Sequence, residues 1–263
     1  MSKADCRVLV GTSGYSFDDW DGVFYPNGHP RGKRLDFYKD HFRVTEINST
    51  YYRIPHPAVF HNMVKKVDAE FEFIIKTHRS FTHDRKELEE MSDRFNEAIR
   101  PVLDSGGLKG LMAQFPFSFK YSRQNLEYIT AGKGLFPDIP LFAEFRHSSW
   151  DRPDVYETLK AEGIGFCSVD EPDLPGLFPP KVEATTDTGY IRLHGRNAAD
   201  WWGGGGDRYN YLYSEKELKE WKNKIEDLKS KTNKIYLFFN NCHLGQAVRN
   251  ARMFLDMMQL DLT

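Results

Sequence analysis

The sequence predicts a single-domain (β/α)8 barrel, and three observations carry the prediction. Eight short apolar runs recur along the 263 residues, most of them separated by charge-rich segments of helical period. Alternating strand and helix implies parallel strands, and eight such units suit a barrel of about 250 residues. Polar residues also fall on one alternating face near the end of each run. No linker, repeat or low-complexity segment divides residues 1–263. The alternative architecture is an open doubly wound sheet.

The first run, RVLVGTSG (7–14), leads through the loop DDWDGVFYPNGHPRG to a helix around LDFYKDHF. The second, VTEINST (44–50), precedes a helix in PAVFHNMVKKV. The third, FEFIIKTH (71–78), is followed by RKELEEMSDRFNEAIRPVLDS, where Leu88, Met91, Phe95, Ile99 and Val102 recur at helical spacing. The fourth, GLMAQFP (110–116), precedes a helix near QNLEYITAG, and the fifth, PLFAEFRHSSW (140–150), precedes RPDVYETLKAEG. After the sixth, GIGFCSVDEP (163–172), the expected helix gives way to the Pro-rich LPGLFPPKVEA. The seventh, YIRLHGR (190–196), leads through a Gly-rich loop to the helix SEKELKEWKNKIEDLKSK. The eighth, KIYLFFNN (234–241), is closed by GQAVRNARMFLDMMQ.

A barrel strand alternates between the interior and the helix layer. Ile191 and Leu193 alternate with Arg192 and His194, and Ala143 and Phe145 with Glu144 and Arg146. Glu46 and Asn48 flank Ile47, Lys76 follows Ile75, Gln114 precedes Phe115, and Val169 separates Ser168 from Asp170. Phe239 precedes Asn240, and Val8 and Val10 lead to Thr12. The expected result is a polar barrel interior at the C-terminal mouth, where barrels build active sites. Buried charges are costly unless paired. Two arrangements meet that condition: a self-paired ion network, or a site that receives a ligand.

Composition narrows the class. Hydrophobic residues make up 40% and charged residues 28%, as in a soluble globular chain. A net charge of −2 gives the chain no general attraction for nucleic acid. No apolar run approaches the roughly 20 residues of a membrane span. The N-terminal MSKADCRVLVG enters a strand with no room for a signal peptide. The three cysteines, Cys6, Cys167 and Cys242, form no CxxC pair, which suits a reducing compartment. A cytoplasmic location is expected, and no membrane partner. Nothing in the sequence sets the oligomeric state.

The segments GTSGYSFDDWDGVFYP, TEINSTYYRIP, KTHRSFTHD, AQFP, EFRHSSW, YIRLHGR and FFNNCHLGQAVRNA occur in order over residues 11–251. In that order they resemble the YecE-like family, domain of unknown function 72. The resemblance implies a TIM barrel whose motif residues share a site, and it implies no activity. Tyr15 departs from the family pattern, which more often has tryptophan there.

Lys76, Arg146, Arg192 and Arg196 converge from strands three, five and seven, and suit a phosphate, a carboxylate or a nucleic-acid backbone. Glu46 and Glu144 are candidates for an acid/base pair, and His194 is a third because imidazole titrates near neutrality. Thr12, Asn48, Gln114, Asn240 and Asn241 are candidates for orienting a substrate, with Asp170 beside them. Tyr15, Trp20 and Trp150 are candidate rings at the mouth, where others pack loops onto the rim.

No cofactor or metal is expected. Glu46, Glu144, Asp170 and His194 would suit Mg²⁺ or Mn²⁺, but the interleaved Lys and Arg compete for the same carboxylates. Cys242 and His243 are adjacent and point apart, so they do not form a nucleophilic pair. The segment WWGGGGDRYNYLY (201–213) is a candidate lid or phosphate cradle. The expected function is an enzyme of hydrolase or lyase type acting on a small anionic, phosphate-bearing substrate. The alternatives are a nucleic-acid-binding or nuclease-like protein and a non-catalytic anion-binding protein.

Overall fold

The computed structural model describes residues 6–203 and 206–260. Eight parallel strands follow one another around a closed barrel. They are β1 (Arg7–Ser13), β2 (Val44–Ile47), β3 (Glu72–Lys76), β4 (Leu108–Gln114), β5 (Leu141–Glu144), β6 (Gly165–Asp170), β7 (Thr188–Leu193) and β8 (Lys234–Phe239). β8 pairs back onto β1 from Arg7↔Lys234 to Thr12↔Phe239, so the open-sheet alternative does not hold.

The helices occur where the periodicity places them: α1 (Arg34–Tyr38), α2 (Pro57–Val64), α3 (Leu88–Asp104), α4 (Arg123–Gly132), α5 (Pro153–Ala161), α6 (Glu215–Lys229) and α7 (Gln246–Met258). Pro57 and Pro153 stand at first helical positions, where a missing N–H costs nothing. Ser214 and Glu217 form a reciprocal capping box at the start of α6. No helix among the described residues is long and apolar enough to cross a membrane.

Residues 171–187 contain no helix. The chain instead runs as a strap over the outer face of β6. Thr185 Oγ1 accepts from Phe166 N at 2.8 Å and donates to the carbonyl of Ile164, and Ser168 Oγ accepts from Glu183 N at 3.1 Å. Phe178 packs on Phe166 with ring centroids 5.5 Å apart.

Strand register decides what enters the barrel. Arg192 on β7 reaches across to Glu46 on β2 and Glu144 on β5, so these three face inward. In-register neighbours share a face: Ser13↔Glu46↔Ile74, Lys76↔Met112, Gln114↔Glu144↔Cys167, and Val169↔Arg192↔Phe238. Two expectations are thereby corrected. Ser13 faces inward rather than Thr12, and Cys167 and Val169 rather than Ser168 and Asp170. Both faces of β1 and β6 are buried, so polarity along those strands does not reveal the inward side. On β6 the outer polar residues face the strap and the α6 side.

Along its axis the interior is layered. Glu72, Arg7 and Lys234 pair at the N-terminal end. Aromatic rings fill the middle, with Phe142 4.7 Å from Tyr190 and Tyr190 5.4 Å from Phe238. The Phe142 ring has room because both neighbouring strands present glycine to it. A Cβ on Gly110 would lie 2.5 Å from the ring, and one on Gly165 2.3 Å. Gly165→Ala is expected to lower the unfolding free energy by about 1–3 kcal/mol through overpacking, read from urea denaturation.

Candidate functional site

At the C-terminal mouth, β2, β5 and β7 deliver Glu46, Glu144 and Arg192, all essentially without solvent exposure. Arg192 Nη1 donates to Glu144 Oε2 at 2.6 Å and Nη2 to Glu46 Oε1 at 2.7 Å. The Tyr190 hydroxyl donates to the other Glu46 oxygen at 2.7 Å. β5 ends at Glu144, so Arg146 lies in the following loop and folds back. Its Nε lies 2.7 Å from Glu144 Oε1, and its Nη1 donates to Glu171 Oε1. The guanidinium lies 5.9 Å from the centre of the Trp201 ring.

His194 completes the cluster. Its Nδ1 faces Asn240 Nδ2 at 2.8 Å and Arg146 Nη2 at 3.4 Å. A guanidinium can only donate, so Nδ1 is the acceptor and the proton sits on Nε2. That nitrogen lies 3.3 Å from Glu144 Oε1.

Burial and neighbouring charge assign the protonation states. Burial alone raises the Glu144 carboxyl, but Arg146, Arg192 and His194 outweigh it and hold the pKa well below the carboxylate range. Burial, then Arg146, push His194 down to about 3, so it stays neutral and does not titrate near neutrality as the sequence reading expected. Burial raises Glu171 to about 7, against the pull of Arg146. Burial, then Arg192, lower Lys76 to about 7, against Glu144 and Glu46.

Lys76 differs from the arginines. Its Nζ donates to Gln114 Oε1 at 2.9 Å and stands 4.5 Å from the centre of the Tyr51 ring. Gln114 is itself oriented by donating from Nε2 to Phe115 O at 3.0 Å. Among the described residues no carboxylate forms an ion pair with Lys76, whose side chain is partly exposed at the mouth. His83 comes from the single-turn π-helix Ser80–Asp84, with its ring 4.9 Å from Tyr51. Burial and the Lys76 charge push His83 down to about 4. Left-handed backbone at Arg85 (φ 52°) and Glu87 (φ 51°) follows that turn, a strained conformation for side chains of this size.

The other candidates separate from this cluster. Asn48 follows β2 with a buried Oδ1 that has no hydrogen-bond partner among the described residues. Thr12 faces α1, where its N–H donates to the Tyr38 hydroxyl at 2.9 Å. Tyr15 is half-buried against Tyr38, with ring centroids 6.0 Å apart. Trp20 and Trp150 are fully buried loop anchors. Their indole N–H groups donate to Cys242 O at 2.8 Å and to Phe119 O at 2.6 Å. Asp170 faces outward and pairs with Arg196 at 3.0 Å, and Arg196 also contacts Glu217 at the α6 capping box. Asn241 donates to Tyr211 O and to Asn250 Oδ1, tying the loop to α7.

Glu171, Tyr190 and Ser13, whose Oγ accepts from Arg192 Nη2 at 3.4 Å, are network members not among the residues singled out from the sequence. Glu171 was legible in principle. Once Val169 is inward, Glu171 rather than Asp170 takes the inward position two residues on. Gly204 and Gly205 of the Gly-rich segment lie outside the described residues.

Glu144, Glu171 and His194 offer ligand atoms within 4.8 Å of one another. Glu46 and Asp170, expected with them in a metal set, are not in this group. Arg146 contacts both Glu144 and Glu171 within the same cluster, so these carboxylates already hold a cation. A cavity of about 860 Å³ lies at the opposite end, lined by the strand starts Leu141, Gly165, Thr188 and Lys234. Barrels do not build their chemistry at that end.

A family model described as "Protein of unknown function DUF72" matches residues 9–263. The UPF0759 protein YunF of Bacillus subtilis is 31% identical, over 97% of this chain and 95% of its own length. The crystal structure of a DUF72 family protein from Thermotoga maritima is similar at TM-score 0.89 and 44% identity, covering 96% of this chain and 99% of its own. A second, from Enterococcus faecalis, is similar at TM-score 0.86 and 25% identity, covering 97% and 96%.

Glu144→Gln leaves Arg146 and Arg192 without their shared carboxylate. It is expected to lower the unfolding free energy by about 3–5 kcal/mol in urea titrations. Glu171 gives a pH signature. Its folded pKa of about 7 exceeds the ordinary 4.5, so its stabilising contribution is full below pH 4.5 and is lost as pH rises through 7. Across that window the wild type is expected to lose stability relative to Glu171→Gln, measured by denaturation at each pH.

Proposed function

This chain belongs to the DUF72 family of proteins of unknown function, and on that premise we propose that it is an enzyme of hydrolase or lyase type acting on a small anionic, phosphate-bearing substrate at the C-terminal mouth of the barrel. One observation carries the reading. Among the described residues Lys76 is the cation of the mouth network that forms no ion pair with a carboxylate, and it is partly exposed at the end where barrels act on substrates. Arg192 is occupied by Glu46 and Glu144, and Arg146 by Glu144 and Glu171. Their role in this reading is to set the field around Lys76, which receives the anion.

Glu171 is the acid/base group of the proposal. A group that titrates near pH 7 can both take and give a proton there, whereas Glu144 is fixed as a carboxylate. Glu46 and Glu144 hold the arginines, and His194 relays their orientation to Asn240. Asn48, whose Oδ1 has no hydrogen-bond partner among the described residues, is the hydrogen-bonding candidate for substrate orientation.

The nucleic-acid reading keeps one supporting observation. Tyr52 and Trp202 are 75% and 56% exposed on loops at the same end of the barrel, where bases could stack. A net charge of −2 weighs against it. Absence of single-stranded DNA binding by fluorescence anisotropy at low salt would remove it.

The test is a turnover screen of phosphate monoesters and other small anions. Lys76→Met is expected to lower kcat/KM at least about a hundredfold, with inorganic phosphate a competitive inhibitor of the wild type. No turnover together with no phosphate binding by calorimetry would overturn the reading.

The same variant separates a functional lysine from a structural one. The folded pKa of Lys76 is about 7 against 10.5 in the unfolded chain, so its burial cost is full below pH 7, shrinks above it and vanishes by pH 10.5. Lys76→Met is therefore expected to melt higher than the wild type at pH 6, and the advantage is expected to fade towards pH 10.5.

A further inference from the structure

We propose that Lys76 acts covalently: its amine forms an imine with an aldehyde or ketone carbon of the substrate, which makes carbonyl compounds the substrate class. The inference rests on the preceding reading of the mouth as the active site.

The geometry has three parts. Lys76 is the last residue of β3, so a rigid strand holds its backbone while the amine reaches the partly exposed mouth. Its hydrogen-bond partner is a neutral amide oxygen, Gln114 Oε1, held in orientation by the bond from Gln114 Nε2 to Phe115 O. Its other near contact is the face of Tyr51. A carboxylate in place of Gln114 would fix the ammonium form. The amide and the ring hold the ammonium more weakly than a carboxylate would.

Every element packed around the amine contributes to its charge balance. Arg192 from β7 and Arg146 from the loop after β5 oppose a third positive charge, while Glu144 and Glu46 favour it. His83, from the turn after β3, is held neutral. Burial is the largest influence, and with Arg192 next it lowers the amine to about 7, where the free form is accessible. A free amine is the nucleophilic form, and desolvation beside cationic groups is one way enzymes generate it.

The step balances without an oxidant or reductant. The amine lone pair forms the C–N bond as the carbonyl π bond breaks, and the carbonyl oxygen takes a proton to give a carbinolamine. Loss of that hydroxyl as water, with the remaining amine proton, leaves the C=N bond. Amine plus carbonyl gives imine plus water. The protons exchange with solvent at the partly exposed mouth.

Pyridoxal 5′-phosphate followed by borohydride tests the proposal, with peptide mapping of the reduced adduct. At pH 7.5 Lys76 is expected to label at least about tenfold faster than any other lysine, because an ordinary lysine holds only about 0.1% free amine there. The rate is expected to rise with a midpoint near pH 7. Gln114→Glu places a carboxylate beside the amine and is expected to move that midpoint up by at least one pH unit. Lys76→Met, with folding checked by circular dichroism, is expected to lose the fast adduct. Labelling confined to other lysines, or a Lys76 midpoint near pH 10, would overturn the proposal.

Unphosphorylated pyridoxal separates this inference from the reading it rests on. If pyridoxal labels Lys76 as fast as its phosphate and inorganic phosphate gives no protection, the imine stands and the anionic substrate fails. If inorganic phosphate binds by calorimetry, with binding lost in Lys76→Met, but no adduct forms, the reverse holds.

Discussion

The mouth of this barrel depends on the carboxylate of Glu144. One oxygen takes Arg192, the other lies against Arg146 and faces His194, and the group has no solvent exposure. Two buried guanidinium groups are tolerable only because they share this carboxylate and divide Glu46 and Glu171 between them. Through these contacts β2, β5, β7 and the loops after β5 and β6 are fixed to one another at the end where loops would otherwise be free to differ. Such a network contributes little net stability compared with apolar packing, since desolvation nearly cancels the attraction. It holds charges in set places, and that is its main effect on the molecule.

The effect is felt at Lys76. Its neighbours are committed: Arg192 and Arg146 to carboxylates, Gln114 to a backbone carbonyl, His83 to the neutral state. What remains is an amine in a field shaped by fixed charges of both signs, supported by an aromatic face. Glu171, at the far side of Arg146, is perturbed in the opposite sense by the same burial. An acid raised and an amine lowered towards the same pH are what proton-transfer chemistry uses, and here burial at one mouth is the largest cause of both.

A second polar cluster lies on the other side of the sheet. Asp170, Arg196 and Glu217 join the end of β6, the loop after β7 and the capping box of α6. Glu217 serves twice: one oxygen accepts from Ser214 N at 2.9 Å, and the other takes Arg196 and the Tyr211 hydroxyl. This cluster lies beside the strap that stands where a helix would follow β6. Its residues read like those of the interior, yet they tie loop to helix.

The sequence by itself determined eight alternating units and a parallel architecture, while the pairing of β8 onto β1 decided the closed barrel over the open sheet. It also determined the Pro-rich break after β6 and the polar interior, since Arg192 alternating with Ile191 and Leu193 requires a separate face. Tertiary structure decided what that face does. Where both faces of a strand are buried, as on β1 and β6, the pleat says that residues alternate but not which set points in. Register with neighbouring strands supplies the answer and exchanges Asp170 for Glu171. Pairing across the barrel has no local signal either. Arg192 and Arg196 look alike in YIRLHGR, yet Arg192 spans the interior to Glu46 and Glu144 while Arg196 pairs outside it with Asp170. Lys76 stands apart from both for the same reason: the residue opposite an amine is chosen by the closed sheet, and here it is the amide of Gln114.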